Sequence, residues 1–386
     1  MNPRAFVLDF LAKFDRKPGH VNQTLPSALK NSNLDQRDRA LVTELVYGIL
    51  RTRLSLDWLI GEFSSKGISK MDSRVLNLLR LGVYQLVFLD KIPSHAAVDT
   101  TVELAKKDFR PGVVGFVNAV LRETGRKIDN LPWPDRVKEE TLFLSVFYSH
   151  PLWLVKLWLK EVGKQKTEAL LAANNTRPSV ALRVNTLKTS RKELIEYLEK
   201  LGVEAKAGEW CPEAIHIQAL VPQEIIDKGL AYVQNEGSML VSHMLALSPG
   251  QSVIDYCAAP GGKTTHMAQL MMNDGEIFAI DVSDRRLALV DQNRRRLGIK
   301  IIRLVKGDAS LPIPLPRVDN VLVDAPCSGL GVLARRPDSR WQKRREDIER
   351  LANLQGLIVN EAANHVNVGG FLTYSVCTIT RLETTE

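Results

Sequence analysis

Between residues 5 and 126 apolar side chains recur at spacings of three and four, as in Leu41-Val42-Leu45-Val46-Ile49 and again in Val75-Leu78-Leu79-Val83-Leu86. That period is the stripe of a helix buried along one side. Asp35 is placed to cap a helix beginning near Arg37, and Pro93 and the Pro111-Gly112 pair punctuate the run. The expectation is an all-α bundle of roughly 130 residues.

The pattern changes after the junction Leu131-Pro132-Trp133-Pro134. A strand is expected over residues 180–184, a helix over 190–201 and a further strand over 214–218, which together read as a small α/β insert. From Gly250 onward short apolar strands alternate with helical stretches, at residues 253–256, 277–280, 301–305, 321–323 and 371–374. That rhythm predicts a parallel sheet with helices on both faces. The domains are therefore drawn at residues 1–140, 141–232 and 233–386. In parallel sheets of this kind ligands sit beyond the carboxyl ends of the strands.

Composition narrows the class. A chain of 386 residues with 45% hydrophobic and 25% charged residues is ordinary globular protein, too long for one core. The N-terminus lacks a signal sequence and the longest apolar run, residues 81–89, is too short to span a bilayer, so a cytoplasmic protein with no membrane partner is expected. A net charge of +8 suits a polyanionic partner. The four cysteines, Cys211, Cys257, Cys327 and Cys377, are too few and too scattered for a disulfide framework, and no spacing suggests a metal. Reduced thiols, no metal and a monomer are the expectation.

The candidate chemistry lies at the predicted strand ends. The first strand runs into Asp255-Tyr256-Cys257-Ala258-Ala259-Pro260-Gly261-Gly262-Lys263-Thr264, where small residues let backbone approach a ligand and a helix begins. Gly262-Lys263-Thr264 is like the end of a phosphate-binding loop, but such a loop needs glycine where Cys257 stands. Asp281 closes the second strand, where an acid can accept hydrogen bonds from ribose hydroxyls. Asp308 follows the third strand, within reach of an adenine amino group. Three acids at successive strand ends fit an adenosyl ligand without phosphates. Two thiols share the same edge: Cys327 in Asp324-Ala325-Pro326-Cys327-Ser328-Gly329, and Cys377 in Tyr374-Ser375-Val376-Cys377-Thr378. A thiol at such an edge can act as a covalent nucleophile once it is deprotonated. The chemistry alone leaves open which of the two attacks. Basic clusters at Arg294-Arg295-Arg296, Arg335-Arg336 and residues 340–345, with Trp341 among them, suit phosphate contacts and base stacking.

Three sets of residues carry a resemblance. Asp38-Arg39-Ala40-Leu41, Val46-Tyr47-Gly48, Leu79-Arg80-Leu81-Gly82-Val83-Tyr84-Gln85-Leu86 and Val117-Asn118-Ala119-Val120-Leu121-Arg122 resemble the NusB-like RNA-binding domain. Arg183-Val184-Asn185-Thr186 resembles the lead-in of cytosine-C5 RNA methyltransferases. The run from Cys257 to Thr264 closely resembles the cofactor motif of the family of such enzymes that includes the Sun and NOP2 proteins.

The resemblance implies a Rossmann-like class I methyltransferase domain. It implies S-adenosyl-L-methionine as cofactor, held by Cys257, Ala258, Ala259, Pro260, Gly261, Gly262, Lys263, Asp281, Asp308 and Asp324. It also implies Cys377 as nucleophile, Cys327 as the group assisting loss of the carbon 5 proton and product release, and Asp324 at the cytosine edge. A NusB-like bundle ahead of this domain is similar to the bacterial members that act on 16S ribosomal RNA. Transfer RNA as substrate, and a non-catalytic, antitermination-like RNA-binding protein, are the alternatives.

The match departs from the family at Gln234-Asn235-Glu236-Gly237-Ser238, where Gln-Asp-Ala-Ser is usual, and at Glu386, where the chain stops before the helix and final strand pair that complete the fold. This form is expected to be less stable than a fuller relative, and poorly active.

Overall fold

A computed structural model describes residues 2–17, 19–64, 67–218 and 220–386. The chain gathers into two units, Met1–Arg177 with Leu330–Arg345, and Pro178–Gly329 with Glu346–Glu386.

The first unit is helical. Helices Pro3–Arg16, Val21–Lys30, Gln36–Arg51, Arg53–Glu62, Ser73–Phe88, Ser94–Asp108 and Pro111–Arg126 are followed by Glu140–Phe147 and Leu152–Asn175. The stripe read from the sequence is the core: Val42, Leu45, Val46, Leu78, Leu79, Val83 and Leu121 are fully buried. Asp35 caps as expected, its carboxylate accepting from Asp38 N–H at 2.8 Å. Pro111 occupies the first helical turn, where the missing N–H costs nothing. No single helix among the described residues is long and apolar enough to cross a membrane.

Two of the residues that carry the NusB-like pattern prove to be packing devices. A Cβ on Gly48 would lie 1.9 Å from Tyr84 Oη and 2.0 Å from its Cζ, and the Tyr84 ring is held there by burial and by a hydrogen bond to Glu44 Oε1 at 2.9 Å. Gly48→Ala is expected to destabilise the bundle by about 3 kcal/mol, because overpacking forces the ring or the helix to move. Urea denaturation checks this, and an unchanged midpoint would contradict it. Arg80, from the same pattern, is buried and grips Asp57 with two parallel bonds of 2.6 and 2.8 Å, the fork geometry that an arginine-carboxylate pair needs.

Segment Leu330–Arg345 corrects one expectation. Arg340 and Trp341 were read as contacts for phosphate and base, yet Arg340 is fully buried. Its Nη1 donates to the carbonyls of Arg51 (3.1 Å) and Ser149 (2.9 Å) and to Asn175 Oδ1 (3.0 Å), and Nη2 donates to the Asn174 carbonyl (3.2 Å). Trp341 Nε1 donates to the Leu50 carbonyl at 2.6 Å. These groups tie the segment to helix ends that would otherwise leave carbonyls unpaired. Arg336, Arg344 and Arg345 remain exposed.

The second unit holds two sheets. Strands β1 (Val180–Val184), β2 (Ala205–Ala207), β3 (Ala214–Ile217) and β4 (Ala231–Val233) form an antiparallel sheet in the order β2-β3-β1-β4. The sequence pattern marked β1, β3 and the helix Arg191–Lys200 between them, but three-residue strands such as β2 and β4 are too short to show a period. Strands β5 (Ser252–Tyr256), β6 (Glu276–Asp281), β7 (Ile302–Lys306), β8 (Val318–Asp324) and β9 (Val366–Ser375) form a parallel sheet in the order β7-β6-β5-β8-β9. Its central strands are apolar on both faces, with Val253, Ile254, Ile277, Ile280, Val321 and Val323 fully buried, as a sheet covered on both sides requires. The helical bundle, the small α/β part and the Rossmann-like sheet are those expected. Strand order reverses between β5 and β8, which opens a crevice at their carboxyl ends.

Candidate active site

The loop after β5 turns sharply into helix Gly262–Leu270. Cys257 has φ 62° and Gly261 has φ 96°, and a Cβ on Gly261 would come 3.2 Å from Val290. Glycine is required there on both counts. The loop is held from beneath. Arg183 of β1 is fully buried, donates to Gln234 Oε1, the Gly262 carbonyl and Thr265 Oγ1 (2.8 Å), and lies 5.2 Å from the Tyr232 ring centroid. Burial pulls its pKa down to about 9. Asn185, two residues on, donates to the Gly229 and Leu297 carbonyls and accepts from Gln269 Nε2 at 2.8 Å. The lead-in Arg183-Val184-Asn185 therefore braces the loop from the small sheet.

Each predicted acid stands at the carboxyl edge of the parallel sheet. Asp281 closes β6 with its side chain buried; Oδ1 accepts from Ser283 N–H at 3.1 Å, and Oδ2 lies 3.3 Å from Arg286 Nη2 without a hydrogen bond. A buried carboxylate oxygen left open at a strand end is the acceptor that a ribose diol needs. Asp308 is exposed, and the Ser310 hydroxyl and N–H, bonding to it at 2.6 and 3.0 Å, hold its pKa below the usual carboxylate range. Asp324 closes β8 and pairs with Lys263 Nζ at 2.7 Å, so the loop lysine joins β5's loop to β8's end.

Asp255 was read as part of the loop, but its behaviour comes from the fold. It is fully buried, accepts from Thr264 Oγ1 at 2.5 Å, and leaves Oδ1 without a partner. Burial pushes its pKa up to about 7, and the nearby Asp324 charge adds to the rise. Between its ordinary 3.8 and about 7 the folded protein therefore binds one proton more than the unfolded chain, so this group's contribution falls as pH rises through that window. Asp255→Asn cannot ionise. Its melting temperature is expected to gain on the wild type's as pH is raised from 4 to 7, and parallel curves would contradict the assignment.

The two candidate nucleophiles meet. Cys327 Sγ lies 3.3 Å from Cys377 Sγ and also accepts from the Cys377 N–H at 3.3 Å. Cys377 is exposed while Cys327 is partly covered. The Cys327 thiol is held strongly towards its protonated form, first by its hydrogen bond with Cys377, then by burial. Cys257, at the start of the loop, has its pKa pushed up to about 12 by burial and by Asp255, which makes it a poor nucleophile. Of the basic run at 294–296, Arg294 and Arg295 pair with Asp291 on their own helix, Arg295 staying exposed, and Arg296 donates to the Ile226 and Ala231 carbonyls. The sequence reading missed Glu383, which bonds to Ser328 and Thr378 beside the two thiols. Its only signal was a hydroxyl residue after each cysteine.

Residues 242–386 match the family model described as 16S rRNA methyltransferase RsmB/F, residues 1–126 the NusB family, and residues 150–224 the ferredoxin-like domain of RsmF/B-like methyltransferases. The chain is 36% identical, over 99% of its length and 86% of the relative's, to the probable ribosomal RNA small subunit methyltransferase B of Bacillus subtilis (strain 168). It is 34% identical to the Escherichia coli ribosomal RNA small subunit methyltransferase B, over 90% of this chain and 80% of that one. Among solved structures, PH0851 superposes with a TM-score of 0.82 at 29% identity, covering all of this chain and 87% of the other. NSun6 from Pyrococcus horikoshii with SFG gives 0.56 at 26% identity over 60% of this chain and 84% of that one.

Proposed function

Because the chain belongs to the family of ribosomal RNA small subunit methyltransferases B, we propose that it methylates carbon 5 of a cytosine in 16S ribosomal RNA, with Cys377 as covalent nucleophile. The cofactor of this family of reactions is S-adenosyl-L-methionine, which supplies an electrophilic methyl group. The residues present fit it: the Cys257-to-Lys263 loop for close backbone approach, the open Asp281 oxygen for the ribose, Asp308 for the adenine edge, and Asp324 with Lys263 for the amino-acid end. None of these demands a phosphate.

The single observation that carries the chemistry is the thiol pair, 3.3 Å apart and unequal in exposure. Cys377, open to the crevice, adds as thiolate to carbon 6 of the cytosine, and the electrons of the 5,6 double bond make carbon 5 nucleophilic. Asp324, beside Lys263, accepts a hydrogen bond from the cytosine 4-amino group and so orients the base for attack. Carbon 5 then bears both the new methyl group and a proton that must leave. The first cause of Cys327's strong preference for its proton is Cys377 itself. Bonding of the Cys377 sulfur to carbon removes that cause and leaves burial, so Cys327 gives up its proton to solvent more readily; as thiolate it takes the carbon 5 proton, the double bond re-forms and Cys377 leaves as thiolate. The target base has to be unpaired or flipped out of its stack to meet these sulfurs.

The test is transfer of labelled methyl from S-adenosyl-L-methionine to small-subunit RNA, followed by digestion to nucleosides. Label in 5-methylcytidine is the expected result, and label confined to any other nucleoside or atom would overturn the reading.

A further inference from the structure

Strands β8 and β9 deliver Cys327 and Cys377 to one edge, but two loops emerging from neighbouring strands do not by that alone place two sulfurs in contact. A single buried carboxylate joins them. Glu383 is 2% exposed. Its Oε1 accepts from Ser328 N–H at 2.7 Å and from Gln355 Nε2 at 3.1 Å. Its Oε2 accepts from the hydroxyls of Ser328 (2.5 Å), Thr380 (2.7 Å) and Thr378 (3.4 Å). Ser328 follows Cys327, Thr378 follows Cys377, and their own hydroxyls are 2.7 Å apart.

The clamp closes on the other side of each cysteine as well. Gln355, on helix Arg345–Ala363, also donates to the carbonyl of Pro326, which precedes Cys327, at 2.9 Å. Tyr374, at the end of β9, has its hydroxyl 3.0 Å from Gln355 Oε1 and 2.9 Å from the Glu383 carbonyl. The polar groups flanking both thiols thus converge on one residue, in a buried setting where charge-assisted hydrogen bonds are strong and a lost acceptor is costly.

We infer that Glu383 is the positioning residue of the thiol pair, setting the separation and register of Cys327 and Cys377 without touching substrate. The role rests on reading those cysteines as the reacting groups.

The test uses the full chain and two readouts that fail separately. Hydrogen peroxide converts two thiols into a disulfide with release of two waters, so the rate at which a Cys327–Cys377 peptide link appears by mass spectrometry reports sulfur apposition without any RNA. Methyl transfer reports catalysis. Glu383→Ala should slow disulfide closure and lower kcat by at least about tenfold, a rise of about 1.4 kcal/mol in the barrier, with cofactor affinity and KM for RNA nearly unchanged. Glu383→Gln, which keeps an acceptor for Ser328 N–H, should fall between the two; if the alanine variant does not fold, the glutamine variant decides. Wild-type closure and wild-type kcat in a folded variant would overturn the inference. Slowed closure with intact kcat would leave Glu383 as the clamp and instead sink the reading of the two thiols as the reacting pair.

Discussion

Cys377→Ala is expected to lose methyl transfer by at least about 10⁴-fold, the scale on which removal of a covalent nucleophile acts, while binding S-adenosyl-L-methionine as before. The cofactor loop and its bracing by Arg183 stand on other strands than the one that ends before Cys377, so the variant should keep its melting temperature and its response to cofactor. Cys327→Ala should behave in the opposite sense. The nucleophile remains, the first methylation step proceeds, and release is impaired because the nearest base, 3.3 Å from the attacking sulfur, is gone. A protein–RNA band that survives denaturing electrophoresis should therefore accumulate with Cys327→Ala and be missing with Cys377→Ala. Adduct formation by Cys377→Ala would reverse the two roles, and normal turnover by it would remove the covalent mechanism.

The second large effect is expected far from the chemistry. Arg340→Met should destabilise the helical unit by about 3 kcal/mol, because the carbonyls of Arg51, Ser149 and Asn174 and the Asn175 amide lose their donor inside the fold. Arg340→Lys should recover little. An ammonium presents one charged point where a planar fork spans several acceptors. Had Arg340 been a phosphate contact, the variant would keep its stability and instead bind RNA with a shallower salt dependence. Urea denaturation and a salt titration of RNA binding separate the two outcomes, and unchanged stability would refute the structural role.

That contrast shows where reading the sequence stops. A run of arginines with an interleaved tryptophan has the composition of a nucleic-acid contact, and nothing local distinguishes it from a buried tether. The partners of Arg340 lie at residues 51, 149, 174 and 175, and no periodicity links positions so far apart. Within the triple arginine at 294–296, Arg296 escaped the sequence for the same reason, since it is committed to the carbonyls of Ile226 and Ala231. Glu383 was invisible because a lone acid after a cysteine motif looks like any surface carboxylate until its donors are brought around it.

Whatever repeats, or is written in consecutive residues, was legible along the chain. The three-and-four spacing marked the helical bundle and Asp35 its cap, the apolar runs marked the strands of a sheet covered on both faces, and Cys257-Ala258-Ala259-Pro260-Gly261-Gly262-Lys263 marked a loop whose glycines answer to local backbone geometry. Such signals survive in one dimension because a helix, a strand or a tight turn is closed by neighbours in the chain. Packing is what pairs Lys263 with Asp324, buries Asp255 deeply enough to raise its pKa to about 7, brings two cysteines fifty residues apart to 3.3 Å and turns Arg340 inward. Those outcomes depend on desolvation and on which strands become neighbours, and both are properties of the packed sheet rather than of any stretch of the chain.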